Sequence, residues 1–242
     1  MIKFNMTEKE QIKYVRLSEN NILHIVNPSK KVQLAAVGTY PDAISFINEP
    51  CEKVQLKAVE RGALMIVHIK SPTEKVQLEV VRIEGSYIKY IQNPTVAVQL
   101  VAIKKDLENF LLIKNPSNRA KKLVVKSDSQ NIEYIQNPSE ELQLIAVRKY
   151  GCSIEYINKP SEAVKLQAIK QNVAALKYIK NPSIELQIAA IKLNSMAYLY
   201  ITDFNVIMQT KEYWCDYINI SNFTEDQYKE FMDVYNTLQV FS

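Results

Sequence analysis

The sequence predicts an all-α fold, an α/α solenoid of nine 22-residue two-helix repeats closed by a different C-terminal segment. Two observations carry this prediction. Prolines stand at Pro28, Pro50, Pro72, Pro94, Pro116, Pro138, Pro160 and Pro182, every interval being 22, and only Pro41 lies off the ladder. Three residues before each of these prolines stands an isoleucine, from Ile25 through Ile47, Ile69, Ile91, Ile113, Ile135 and Ile157 to Ile179, and Ile201 continues the column. A fixed period of this kind marks units that bury their apolar faces only by stacking on one another. The repeats start near 7, 29, 51, 73, 95, 117, 139, 161 and 183, so the solenoid is assigned to 1–204 and the C-terminal cap to 205–242.

Each repeat opens with a helix. Twenty-two is twice eleven, the period of a right-handed coiled coil, but a proline every 22 residues is incompatible with one long helix. The run Asn137-Pro138-Ser139-Glu140 instead reads as a start, with Asn at the N-cap, Pro at the first helical position and Glu at the third. The helix extends about 10 to 12 residues, with apolar residues four, six, eight and nine after the proline, a stripe spanning roughly 40° to 240° around the axis. Gly38, Gly62, Gly85 and Gly151 fall where a C-terminal cap belongs. A shorter second helix follows, carrying an isoleucine or its equivalent six residues before the next proline.

Within the apolar stripe runs a polar column: Gln33, Gln55, Gln77, Gln99, Gln143 and Gln187, extended by Gln11 and Gln209. A buried unpaired amide is unfavourable by about 1 to 3 kcal/mol, so these side chains are expected to satisfy backbone groups of the turns as an internal ladder.

The unit Asn-Pro-Ser-Glu-x-Val-Gln-Leu-x-Ala-Val followed by x-Tyr-Ile resembles a short helical repeat family of unknown function found in bacterial, phage and large-virus proteins. The resemblance covers about residues 7 to 204 and implies a repeat fold in a viral or bacterial setting, with no residue roles. The sixth copy departs from it, with Ala120, Lys121 and Lys122 in place of Val-Gln-Leu.

Candidate chemistry is sparse. His24 and His68 occupy a column otherwise held by aromatic or apolar side chains, and Cys51, Cys152 and Cys215 form no C-x-x-C pair. The sequence shows no histidine pair, glycine-rich phosphate loop or nucleophile elbow, so neither an enzyme, a metal site nor a cofactor is expected. No apolar run is long enough to span a bilayer, and the start lacks the blocks of a secretory signal; no membrane association and a cytoplasmic location, the host cytoplasm for a phage or viral protein, are the expectation.

Three columns remain as binding candidates. Arg82, Lys104, Lys126, Arg148, Lys170 and Lys192, ten residues after each proline, form a basic ridge. It suits either the carbonyl ends of the helices or a nucleic-acid backbone. Tyr134, Tyr156, Tyr178 and Tyr200, with Tyr90, stand four residues before each ladder position and suit protein contact or base stacking. Val101, Leu123 and Ile145, seven after the proline, are apolar on a face expected to be solvated and suggest a protein-binding patch.

Residues 203 to 242 carry seven acids and two lysines, a net of −5, leaving +9 on residues 1 to 202. Thr224-Glu225-Asp226-Gln227 reads as a capping box within an aromatic segment. That segment is expected to cap the solenoid, or to form a homo-oligomer. The sequence therefore predicts a non-enzymatic protein-binding scaffold, in its sharpest form a phage or viral factor that binds and inhibits a host or defence protein. The alternatives are a nucleic-acid binder using the basic ridge and a structural self-assembling module.

Overall fold

The computed structural model describes residues 6–201 together with 206 and 210. The cap assigned to 205–242 lies outside the described residues apart from the last two of these positions. Among the described residues the protein is all-helical, a succession of nine helix pairs. The chain divides into two compact units, with the boundary between Val124 and Val125.

The first unit holds α1 (Glu8–Val15), α2 (Lys30–Thr39), α3 (Glu52–Arg61), α4 (Glu74–Ile83) and α5 (Val96–Lys105). Each is followed by a six-residue helix: η1 (Glu19–His24), η2 (Pro41–Phe46), η3 (Ala63–His68), η4 (Gly85–Tyr90) and η5 (Leu107–Leu112). The boundary falls inside α6 (Asn118–Ser127). The second unit continues with η6 (Ser129–Tyr134), α7 (Glu140–Lys149), η7 (Gly151–Tyr156), α8 (Glu162–Gln171), η8 (Val173–Tyr178), α9 (Ile184–Leu193) and η9 (Ser195–Tyr200). Within each unit successive α-helices pack on one another and so do successive η-helices, giving two layers.

The second helix of each pair is 3₁₀, not α. Its isoleucine columns explain why. They stand three residues apart, as in Ile88 and Ile91, and a 3₁₀ helix with three residues per turn brings residues three apart onto one edge. Both are buried, Ile88 at 1% and Ile91 at 5% exposure. The two residues between them then point away from the core, which an α-helical reading does not require. From the second pair on, one extended residue separates each α-helix from its partner, and at Glu84, Asp106, Asp128, Asn172 and Asn194 its side chain accepts the N–H two residues on. Such a local turn starts the 3₁₀ helix.

The α-helix begins two residues later than the sequence pattern suggests. Ser29, Thr73, Thr95, Ser139, Ser161 and Ser183 are the N-caps, each accepting the N–H three residues on, and the proline precedes the cap. Thr7 completes a full capping box with Glu10. The first helical bond therefore runs to the cap residue's carbonyl, as from Gln77 N–H to Thr73. The proline carbonyl is left outside the helix without that bond.

The glutamine column supplies its donor. Gln33, Gln55, Gln77, Gln99, Gln143 and Gln187 each donate Nε2 to the carbonyl of their own repeat's proline, at 2.8 to 3.1 Å. In the first unit three of them also reach the next repeat: Gln55, Gln77 and Gln99 accept the N–H of Thr73, Thr95 and Ser117 through Oε1. The turns divide accordingly. Asn27, Glu49, Asn137, Lys159 and Asn181, each before a proline, have positive φ, between 48° and 55°, whereas the corresponding Ser71, Asn93 and Asn115 of the bridged turns do not. Asparagine tolerates this left-handed conformation best, and Glu49 and Lys159 hold it with some strain.

The glycines are not left-handed caps, since none has positive φ. Gly85 and Gly151 are required instead by close approach at the start of η4 and η7. A Cβ on Gly85 would lie 2.5 Å from Asn109 Nδ2, and one on Gly151 would collide with the Ala168 carbonyl. Gly38 lies inside α2 and Gly62 in the extended link before η3.

Candidate functional site

Among the described residues most of the exposed large apolar side chains lie on the 3₁₀ layer, with Ile83, Val96, Ile184 and Leu193 at the ends of α-helices. With both isoleucine columns turned inward, the residues seventeen and eighteen after each proline face outward. In the first unit these include Val67 and Leu111, 51% and 57% exposed, and Phe46, His68, Tyr90 and Leu112 are exposed beside them. In the second unit Tyr134 is 51% exposed and Tyr156 37%, while Tyr178 and Tyr200 are half-buried. The tyrosine column thus lies on one face of its layer within each unit.

Grooves recur on this face at the turns. One of about 540 Å³ in the first unit runs between the end of η2 and the end of η3, with Gln55 contributing. Its counterpart in the second unit, about 590 Å³, lies between the ends of η7 and η8 and is lined by Tyr156, Tyr178, Lys159, Lys165 and Lys180, with Glu155. The next, about 780 Å³, lies between the ends of η8 and η9 and is lined by Leu176, Ile179, Leu199 and Tyr200 with Gln187, Lys177 and Asn181. The same register therefore presents a glutamine in two grooves and a lysine in the third.

The electrostatics of the tyrosines are mixed. Partial desolvation, with Glu155, Glu133, Tyr178 and Asp128 close by, raises the Tyr156 hydroxyl above its ordinary value, so it remains a neutral hydrogen-bonding group. Lys89 Nζ sits 5.0 Å from the Tyr90 ring centre and Lys177 Nζ 5.9 Å from that of Tyr178, both within cation–π range.

The basic ridge lies in the other layer. Arg82 and Lys104 in the first unit, and Lys126, Arg148, Lys170 and Lys192 in the second, are exposed near the C-terminal ends of their α-helices. None lines the three grooves described above. The neighbouring column shows what cations do there. Lys105 Nζ donates to the Arg82 and Ile83 carbonyls at 2.7 and 2.6 Å, and Lys149 Nζ to the Lys126 and Ser127 carbonyls at 2.6 Å. Each closes the carbonyl end of the preceding repeat's helix, a role the sequence reading assigned to the ridge and not to these two residues.

Val101, Leu123 and Ile145 do not stand on a solvated face. Each is half-buried, as are Ala35, Lys57, Glu79, Gln167 and Ala189 at the same register. Helical geometry gives the reason: residues six and seven after the proline flank the outward direction, so they lie beside the adjacent α-helices of the layer. An apolar residue there is accounted for by helix-to-helix packing.

Among the described residues no group of three or more His, Cys, Asp or Glu is placed to hold a metal ion, and no helix is long and apolar enough to cross a membrane. Comparison with known proteins supplies no relative: no family model, no curated protein and no solved structure matches this chain.

Proposed function

We propose that this chain is a non-enzymatic protein-binding scaffold whose contact surface is the outer face of the 3₁₀ layer. The supporting observation is the repeated exposure of aromatic and apolar side chains eighteen residues after the proline, joined at the adjacent register by Val67, Leu111 and Leu199, beside grooves at the turns. Large amphipathic rings held on a rigid layer contribute contact area with little loss of side-chain freedom. The outward positions of the α layer are mainly charged or small, as in Lys53, Lys75, Arg119 and Glu141.

The nucleic-acid reading rests on the basic ridge, which belongs to a different layer from the tyrosines. A strand following the ridge would not use the rings, and a strand on the rings would meet Glu133 and Glu155. A viral or bacterial setting, and the occupation of a host or defence protein, rest on the repeat-family resemblance alone. Self-association through the C-terminal segment concerns residues outside those described.

Affinity capture with three forms of the full chain tests the proposal: the wild type, Tyr134→Ala/Tyr156→Ala/Tyr178→Ala, and Lys126→Glu/Arg148→Glu/Lys170→Glu. The tyrosine variant is expected to lose a stoichiometric protein that the other two retain; the charge variant stays folded because exposed charges contribute little to stability, and circular dichroism verifies the fold of the tyrosine variant, in which Tyr178 is half-buried. Retention by the tyrosine variant, or recovery of nucleic acid lost only in the charge variant, would overturn it.

A further inference from the structure

The second unit breaks the glutamine ladder at one groove. Lys165 occupies the register of Gln143 and Gln187, and its side chain is only 17% exposed. Its Nζ lies 2.6 Å from Glu162 Oε1, in the first turn of the same helix. A lysine whose side chain is largely covered is a less favourable occupant than the glutamine that fits the neighbouring turns, and departures of this kind concentrate where binding requires them. The groove that Lys165 lines also holds Lys159 and Lys180 against a single acid, Glu155, between the rings of Tyr156 and Tyr178. An ammonium has three donors, so Lys165 can serve Glu162 and one further acceptor.

In the next groove Gln187 stands where Lys165 does, and two leucines, Leu176 and Leu199, join Ile179, Pro182 and Tyr200, alongside Lys177 and Asn181. The two grooves are one repeat apart. Packed helices sit at about 8 to 10 Å, and an extended segment in the polyproline II conformation, with three residues per turn and a rise of about 3.1 Å per residue, carries side chains i and i+3 on one edge about 9 Å apart, so it can place them in successive grooves.

We infer that these two grooves bind an extended peptide segment carrying an acidic and an apolar side chain three residues apart, the carboxylate entering beside Lys165 and the apolar group beside Leu199 and Tyr200. The inference rests on the protein-binding reading above and names the chemistry of the partner. A single carboxylate fits a pocket with excess lysines, whereas a continuous phosphate backbone would also run past Glu155 and Glu133.

The test is a positional-scanning array of extended peptides of about eleven residues, probed with the full-length chain, followed by anisotropy titration of the best binder. An acid and an apolar residue selected three positions apart is the expected result. Lys165→Gln restores the amide held by most repeats, so the variant should melt no lower than the wild type. Its affinity for the acidic peptide should fall about tenfold, while a Glu→Gln version of that peptide should be nearly insensitive to the variant. Peptide binding with no acid preference, or unchanged by Lys165→Gln, overturns this inference and leaves the protein-binding surface standing. Binding of no peptide also overturns it, and the capture experiment then judges the surface separately. Tight binding of a single-stranded RNA that Lys165→Gln weakens would overturn both.

Discussion

Ile88→Ala is expected to destabilise the chain by about 2 to 5 kcal/mol, the range for removing a buried branched side chain whose surroundings relax only in part. Ile88 lies in η4 at 1% exposure, in the column continued by Ile66 and Phe110 on either side, all of them buried. The cavity would open between the two layers, where Val76, Val80 and Val81 of α4 are also fully buried. A control separates burial from residue type. Ile83, at the end of α4, is 46% exposed, and Ile83→Ala should change stability by no more than about 0.5 kcal/mol. Urea titration followed by circular dichroism reads both, and equal effects would contradict the assigned core.

Gln77→Leu should lower stability by about 1 to 3 kcal/mol, because leucine fits the volume but leaves polar groups of two repeats without their partner. Gln77 Nε2 donates to the Pro72 carbonyl at 3.1 Å, and its Oε1 accepts the Thr95 N–H at 3.3 Å. Gln143 offers the comparison. It donates to the Pro138 carbonyl at 2.9 Å, but its Oε1 is buried with no hydrogen-bond partner. Gln143→Leu removes that buried orphan as well as the one bond, so its effect should be clearly smaller. The same denaturation measurement decides, and a larger loss for Gln143 than for Gln77 would contradict the bridging role of Oε1.

The difference between these glutamines marks the limit of what the sequence reveals. The proline ladder and the isoleucine column determine the repeat, and the position of glutamine inside an apolar stripe predicts a hydrogen-bonded connector. Which glutamines bridge to the next repeat depends on the conformation of a turn residue, and asparagine occurs in both classes: Asn137 has positive φ and Asn115 does not. The register of the helix start was misplaced for a related reason. Asn and Ser are both good N-caps, and the proline between them fits either side of the boundary until the hydrogen bonds are seen.

The surface was legible in part. Tyrosine recurrence identifies one exposed column, while the second column, with Val67 and Leu111, follows only once the second helix is known to be 3₁₀. The three-residue spacing of Ile88 and Ile91 was the available signal for that. Val101, Leu123 and Ile145 show the reverse error. A helical wheel drawn for one helix treats both flanks as solvated, whereas stacking covers both with neighbouring helices.

Hydrogen exchange on the complex with a protein captured by this chain tests the central claim most directly. Slowed exchange across 151–156 and 173–178, the two 3₁₀ segments that border the lysine groove, is the predicted result. Protection confined to the C-terminal ends of α7 and α8, around Arg148 and Lys170, would contradict it and move the binding surface to the basic ridge.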